Sequence, residues 1–169
     1  MDKVYFKLLK IDDVDPDKLY QELPPRIKEH VDKKKNQQHF KQSVVGWFNV
    51  YKMGLEYLGI KLENISFNEN GKPIGEFYFN ISHSKDLCLV CVSLINVGCD
   101  IEIERKNKVF ESILDWTKYE SFIKLKGSKI KEYKPSDLYS FKCFYYNGKY
   151  HNGVYTISTE QEVEMICIN

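Results

Sequence analysis

The run Gly98-Cys99-Asp100-Ile101-Glu102-Ile103-Glu104 alternates acidic with apolar residues. A strand has a side-chain period of two, so Asp100, Glu102 and Glu104 share one face while Ile101 and Ile103 share the other. Carboxylates two residues apart on a strand stand about 7 Å from each other and can converge on a hard divalent cation. Mg2+ takes few protein carboxylates and fills its shell with water and phosphate oxygens, so the pattern suits a phosphate-bearing substrate. The same alternation also describes an edge strand with a solvated acidic face.

Two further segments carry groups of the same chemistry. In Asp115-Trp116-Thr117-Lys118-Tyr119-Glu120-Ser121-Phe122-Ile123-Lys124, the residues Trp116, Glu120 and Lys124 recur at four-residue steps and share a helical face. Glu120 could be a metal carboxylate or a general base and Lys124 a phosphate partner; an ordinary surface Glu–Lys pair is the plain alternative. Phe79-Asn80-Ile81-Ser82-His83-Ser84-Lys85 ends a strand with one imidazole among hydroxyls. Ser82 and His83 are neighbours and point apart, which argues against a nucleophile–base pair and leaves His83 as a phosphate donor or a turn residue. Upstream, Asn70-Gly71-Lys72-Pro73 is a turn that could bring backbone close to a ligand.

These segments need elements to position them. Val4–Leu9 reads as a strand, and Asp15-Pro16 as the cap and first residue of a short helix ending near Leu23, after which Pro24 and Pro25 restart the chain. Phe40, Val44, Trp47, Tyr51, Leu55 and Leu58 predict one long amphipathic helix to Gly59. Strands are expected at Ile65–Phe67, Phe77–Ile81, Leu87–Leu94 and Val97–Ile103, then a helix from Val109 to about Leu125 stopped by Gly127. Tyr139–Tyr145, Gly153–Ile157 and Val163–Ile168 read as strands, with Asn147-Gly148 as a turn. Helix-then-strands occurs twice, so the expected fold is α+β: two half-domains, 1–98 and 99–169, the second reduced, each a helix on an antiparallel sheet.

Composition bounds the function. The 169 residues are 43% hydrophobic and 14% aromatic with a formal charge of +1, enough for a core and too balanced for a polycation that coats nucleic acid. No long apolar run marks an export signal or a membrane span, so a cytoplasmic protein, binding neither nucleic acid nor membrane, is expected, and a monomer if one chain supplies both halves of a site. Cys88, Cys91, Cys99, Cys143 and Cys167 lie in apolar stretches and read as reduced thiols; Cys88-x-x-Cys91 faces opposite sides of a strand and lacks a second pair for zinc.

Taken in order, the Gly71-Lys72-Pro73 turn, FNISHS, GCDIE and the Trp116–Lys124 helix with ESFIK resemble the 4'-phosphopantetheinyl transferase superfamily of the surfactin-synthetase-activating type, from about Ser43 onward. The resemblance implies two pseudo-twofold-related halves with the site between them. It implies transfer of phosphopantetheine from coenzyme A to a serine of an apo acyl or peptidyl carrier protein. By similarity Asp100, Glu102 and Glu120 hold Mg2+, with Glu120 also the base. His83 and Lys124 contact the coenzyme's phosphates, Lys72 and Pro73 lie along the adenine with Ser82 beside them, and Ser43 approaches the 3'-phosphate. Arg26 and Lys28 would join the basic cluster at that phosphate.

Two positions depart from the family. A longer, helix-bearing stretch usually separates the counterparts of Asp100 and Trp116, and Tyr119 stands where a lysine is usual, with Lys118 rotated by about 100° around a helix. A non-catalytic module that binds coenzyme A or a carrier protein is therefore the alternative, and an unrelated Mg2+-dependent phosphohydrolase a third. Lys124, Lys126, Lys129, Lys131 and Lys134 could attract an acidic carrier or simply solvate a loop.

Overall fold

The computed structural model describes residues 1–106 and 110–169. The fold is α+β. Strand β1 (Lys3–Lys10) leads to helices α1 (Pro16–Glu22), α2 (Pro25–Val31) and α3 (Gln37–Met53), then to short strands β2 (Ser66–Phe67) and β3 (Pro73–Ile74). Strands β4 (Tyr78–Ser84), β5 (Leu87–Ser93) and β6 (Val97–Ile103) follow, then α4 (Ile113–Lys126), β7 (Phe144–Tyr150), β8 (Gly153–Thr159) and β9 (Glu164–Ile168). The strands form a sheet ordered β4-β5-β1-β9, a second ordered β6-β8-β7, and the β2–β3 pair.

Local chemistry sets the helix ends. Asp15 accepts from the amides of Asp17 and Lys18 ahead of Pro16, and Asn36 caps α3 in the same way. Beyond Met53 the long helix widens into one π-helical turn, Gly54–Leu58, before Gly59 leaves in the left-handed region. The Ser112 side chain caps α4, and Gly127, at φ 62°, ends it. The expected helix start at Val109 lies outside the described residues.

The first sheet is packed on both faces. Cys88, Val90 and Val92 of β5 join the core beneath α1–α3, whereas Leu87, Leu89 and Cys91 join Val97, Cys99, Ile101 and Ile157 between the two sheets. Every residue of β5 is therefore buried, which explains its unbroken apolar run. Cys88 and Cys91 do face opposite sides, with burial holding both thiols above their ordinary pKa.

Helix α4 covers the outer face of the second sheet at close range. A Cβ on Gly98 would stand 2.5 Å from the Leu125 amide nitrogen and closer still to the Ser121 carbonyl, so this strand position must be glycine for the helix to approach. Thr117 and Thr156 meet across the contact with their hydroxyls 2.9 Å apart.

The chain restarts at Pro24 and Pro25 as a helix of its own, α2. Three expectations are corrected. The first sheet is mixed rather than antiparallel, because β9 pairs parallel with β1, Lys3 opposite Glu164 through Lys7 opposite Ile168. The chain thus returns from the second half to the first sheet, and four strands face three, so strand order does not carry the twofold relation. Tyr139 closes a 3-10 turn, Pro135–Tyr139, so the strand expected over Tyr139–Tyr145 begins only at Phe144, and Asn147-Gly148 lies inside β7. Gly148 is there because the Tyr155 ring lies across it, where a Cβ would meet Tyr155 Cζ at 2.5 Å; the hairpin turns instead at His151, φ 52°.

Gly98→Ala should lower the melting temperature by roughly 3–10 °C, the result of about 1–3 kcal/mol of overpacking in a chain of this size. Gly46→Ala, whose Cβ would meet only the movable Ile81 side chain, should cost less; equal losses by calorimetry would contradict this account of the α4 contact.

Candidate active site

The two sheets meet edge to edge at β4 and β6, and side chains of β4 replace the missing backbone partner. Asn80 Oδ1 accepts the Cys99 N–H at 2.9 Å, Ser82 Oγ accepts the Ile101 N–H at 3.1 Å, and Ser84 Oγ accepts the Ile103 N–H at 3.3 Å. Three amides of an edge strand are thereby satisfied, at a net worth of about 0.5–1.5 kcal/mol each. The serines also hold the acids: Ser82 donates to Asp100 Oδ1 at 2.9 Å and Ser84 to Glu102 Oε2 at 3.2 Å. The sequence reading placed Ser82 beside a ligand and missed Asn80 and Ser84. Their period-two spacing, in step with Cys99, Ile101 and Ile103, was the available signal.

Lys124 enters this seam from α4. Its Nζ lies 2.7 Å from Asp100 Oδ1 and 3.1 Å from Ser82 Oγ, with 28% of its side chain exposed against 4% for Asp100. Burial opposes the lysine charge, but Asp100, with Cys99 and Glu120, outweighs it and raises the lysine's pKa. Glu120, one turn earlier, is pushed up to about 7 by burial, by Asp100 and by Glu102, against the pull of Lys124. Three acids and one lysine are thus within electrostatic reach of one another. Glu104 is apart from them, exposed and paired with Lys149 at 3.2 Å.

The C-terminus of α4 is clasped by the turn at Asn68–Lys72. Asn68 and Asn70 donate to the Gly127 carbonyl, and Lys72 Nζ donates to the Leu125 carbonyl at 2.9 Å and to Asn96 Oδ1 at 2.6 Å. These bonds satisfy carbonyls that a helix end leaves open. Burial pushes Lys72 down to about 8.

Two clefts flank Ile81 on β4, the edge strand of its sheet. One, of about 230 Å³, is lined by Lys72, Pro73, Asn80, Ile81 and Lys124 among others. The other, of about 300 Å³, is lined by His30, Lys34, His39, Gln42, Ser43, Trp47, Ile81 and His83. The structure therefore brings Ser43 to His83, and Lys72 and Pro73 to Lys124, with the two groups adjoining. His30, Lys34 and His39 were not foreseen, since they come from α2, the following loop and the start of α3, outside any motif. Arg26 and Lys28 are not in this group: Arg26 lines a separate cleft with Asn64 and Ile65, while Lys28 sits over the Tyr20 ring and donates to the Gln21 carbonyl.

Tyr119 has a packing role. Its buried hydroxyl lies 2.7 Å from the Ile130 carbonyl and 2.6 Å from that of Tyr133, fixing the loop after α4. Helical geometry turns this position away from Glu120, toward the cluster with Phe122, Ile123 and Leu138.

Among the described residues no three His, Cys, Asp or Glu side chains stand together at metal-ligating separations. Asp100 Oδ2 is buried without any hydrogen-bond partner, an open acceptor of the kind a hard cation takes, and the charges of Asp100 and Glu102 both act on Glu120. No protein-family model matches the chain, and no curated protein matches it either.

Because its folded pKa is raised, Glu120 contributes stability that is complete below the unfolded value of about 4.3 and is lost as pH rises through about 7. In metal-free buffer, melting temperatures of the native chain should fall relative to Glu120→Gln across that window. Parallel profiles would contradict the crowding of the three acids.

Proposed function

We propose that this chain transfers 4'-phosphopantetheine from coenzyme A to a serine of an apo acyl or peptidyl carrier protein, with Mg2+, as a monomer in the cytoplasm. The observation that supports this best is the meeting, around the free edge of β4, of a carboxylate group (Asp100, Glu102, Glu120) with the phosphate-suited side chains of two clefts. The site then lies between the 1–98 and 99–169 halves, with FNISHS on one wall and GCDIE on the other. No helix among the described residues is long and apolar enough to cross a membrane.

Asp100, Glu102 and Glu120 would hold the cation. Bound there, Mg2+ would act as a Lewis acid on pyrophosphate oxygens. Lys124 supplies fixed positive charge where negative charge grows on the bridging oxygen as the phosphorus–oxygen bond breaks, and His83, whose pKa is lowered, serves the coenzyme's phosphates as a neutral N–H donor. Glu120, titrating near 7, accepts the serine proton as the hydroxyl oxygen bonds to the β-phosphorus, and adenosine 3',5'-bisphosphate leaves. Ser43 and His83 offer partners to the 3'-phosphate, while Pro73 and the Lys72 stem line the neighbouring cleft for the adenine.

One observation favours a second reading. Lys124 Nζ already neutralises Asp100 at 2.7 Å, as it would in a module that binds coenzyme A or the carrier without transferring anything. Intact-mass spectrometry separates the two. Apo carriers incubated with the chain, coenzyme A and Mg2+ should gain the mass of phosphopantetheine, and Glu120→Gln should slow this about 100-fold or more. Stabilisation by coenzyme A with no mass gain on any carrier would overturn the transferase in favour of the binding module.

A further inference from the structure

The cleft beside Ser43 is unusual in its ionisable groups. His30 from α2, His39 from the first turn of α3 and His83 from β4 all line it, with Lys34 as its one lysine and no carboxylate among the lining residues. His30 is held in place by aromatic contacts, stacked on Phe67 at 4.9 Å between ring centres and edge-on to Trp47 at 5.1 Å. His39 is exposed at the mouth. Gln42 donates to the Lys85 carbonyl at 2.8 Å, which leaves its buried Oε1 in the same cleft without a donor.

The charges that act on His30 and His83 are all positive. Burial, then Lys34 and Lys33 at the end of α2, lower the pKa of His30. Burial, then Lys124 from α4, His39 from α3 and Lys34, lower that of His83. His30 and His83 therefore stay neutral near pH 7 while the cleft is empty. A dianion entering among them would reverse the sign of the local field and draw protons from solvent.

We propose that His30 and His39, with His83, Lys34 and Ser43, form a proton-coupled site for a phosphate monoester dianion, so that the ligand binds together with protons and binds more tightly as pH falls. That the ligand is the 3'-phosphate of coenzyme A rests on the transferase reading; the proton coupling does not. By linkage each proton taken up is worth up to about tenfold in affinity per pH unit. A lysine-built site would show no such slope.

Calorimetry at pH 7.5, where a phosphate monoester is mostly the dianion, run in buffers of differing ionisation enthalpy, counts the protons taken up. Three probes are used on the full chain: coenzyme A, dephospho-coenzyme A, which lacks the 3'-phosphate, and inorganic phosphate. Expected is uptake of about one proton with coenzyme A and none with dephospho-coenzyme A, and a tightening of roughly three- to tenfold between pH 8 and 7. His39→Gln, at an exposed position, should reduce the uptake, and His30→Lys should flatten the pH slope while keeping affinity. Coenzyme A binding without extra protons, or with the same uptake in both variants, would overturn the inference and leave the transferase reading intact. Proton-coupled binding of inorganic phosphate without coenzyme A binding would support the site and remove coenzyme A as its ligand. No binding of any probe would end both.

Discussion

The contact between the β4 and β6 edges is the constraint on which the rest of the molecule depends. Neither edge pairs with the other backbone to backbone, so Asn80, Ser82 and Ser84 reach across and take the three amides that β6 presents. An unpaired edge amide buried here would cost about 1–3 kcal/mol, which makes three such bonds a large part of what joins the two sheets. The same serines fix Asp100 and Glu102. Architecture and site chemistry therefore share atoms, and loss of a serine hydroxyl disturbs both.

Helix α4 brings the remaining groups. It approaches β6 closely because Gly98 has no side chain and because Thr117, Ser121, Thr156 and Ser158 are small and fully or almost fully buried. That proximity sets Glu120 and Lys124 over Asp100, and the Asn68–Lys72 clasp on the helix end keeps them there. The outcome is a buried acid with one oxygen paired and one unpartnered, beside a glutamate that titrates near neutrality. Ionising Glu120 in this arrangement is costly, because burial and the neighbouring acids both oppose its charge.

How much of this could be read from the chain follows from where the information is local. The Val97–Ile103 strand, the Asp15 and Gly127 helix ends and the opposite facing of Cys88 and Cys91 depend on neighbouring residues and are legible. So is the shared face of Asp100 and Glu102, whereas Glu104 follows the alternation but falls beyond the strand end into solvent. Asn147-Gly148 has the composition of a turn, yet Gly148 answers to the Tyr155 ring across the hairpin, a demand invisible in sequence. The histidine cleft assembles from three elements with no motif between them, and Arg26 and Lys28, nearby in sequence, point elsewhere. The parallel return of β9 to β1 is likewise a long-range pairing that short connections gave no reason to expect.

The central claim is that Asp100, held by Ser82 and Lys124, belongs to a cation and coenzyme A site rather than to a structural ion pair. Coupling between the two ligands tests it most directly, because a cation that bridges protein and pyrophosphate must tighten coenzyme A binding, and the effect must be reciprocal. Coenzyme A affinity should be measured with and without Mg2+, in the native chain and in Asp100→Asn. The account predicts at least about fivefold tightening by Mg2+ in the native chain and none in the variant, its folding checked by circular dichroism. Equal affinity with and without Mg2+ in the native chain, or equal tightening in both proteins, would contradict it.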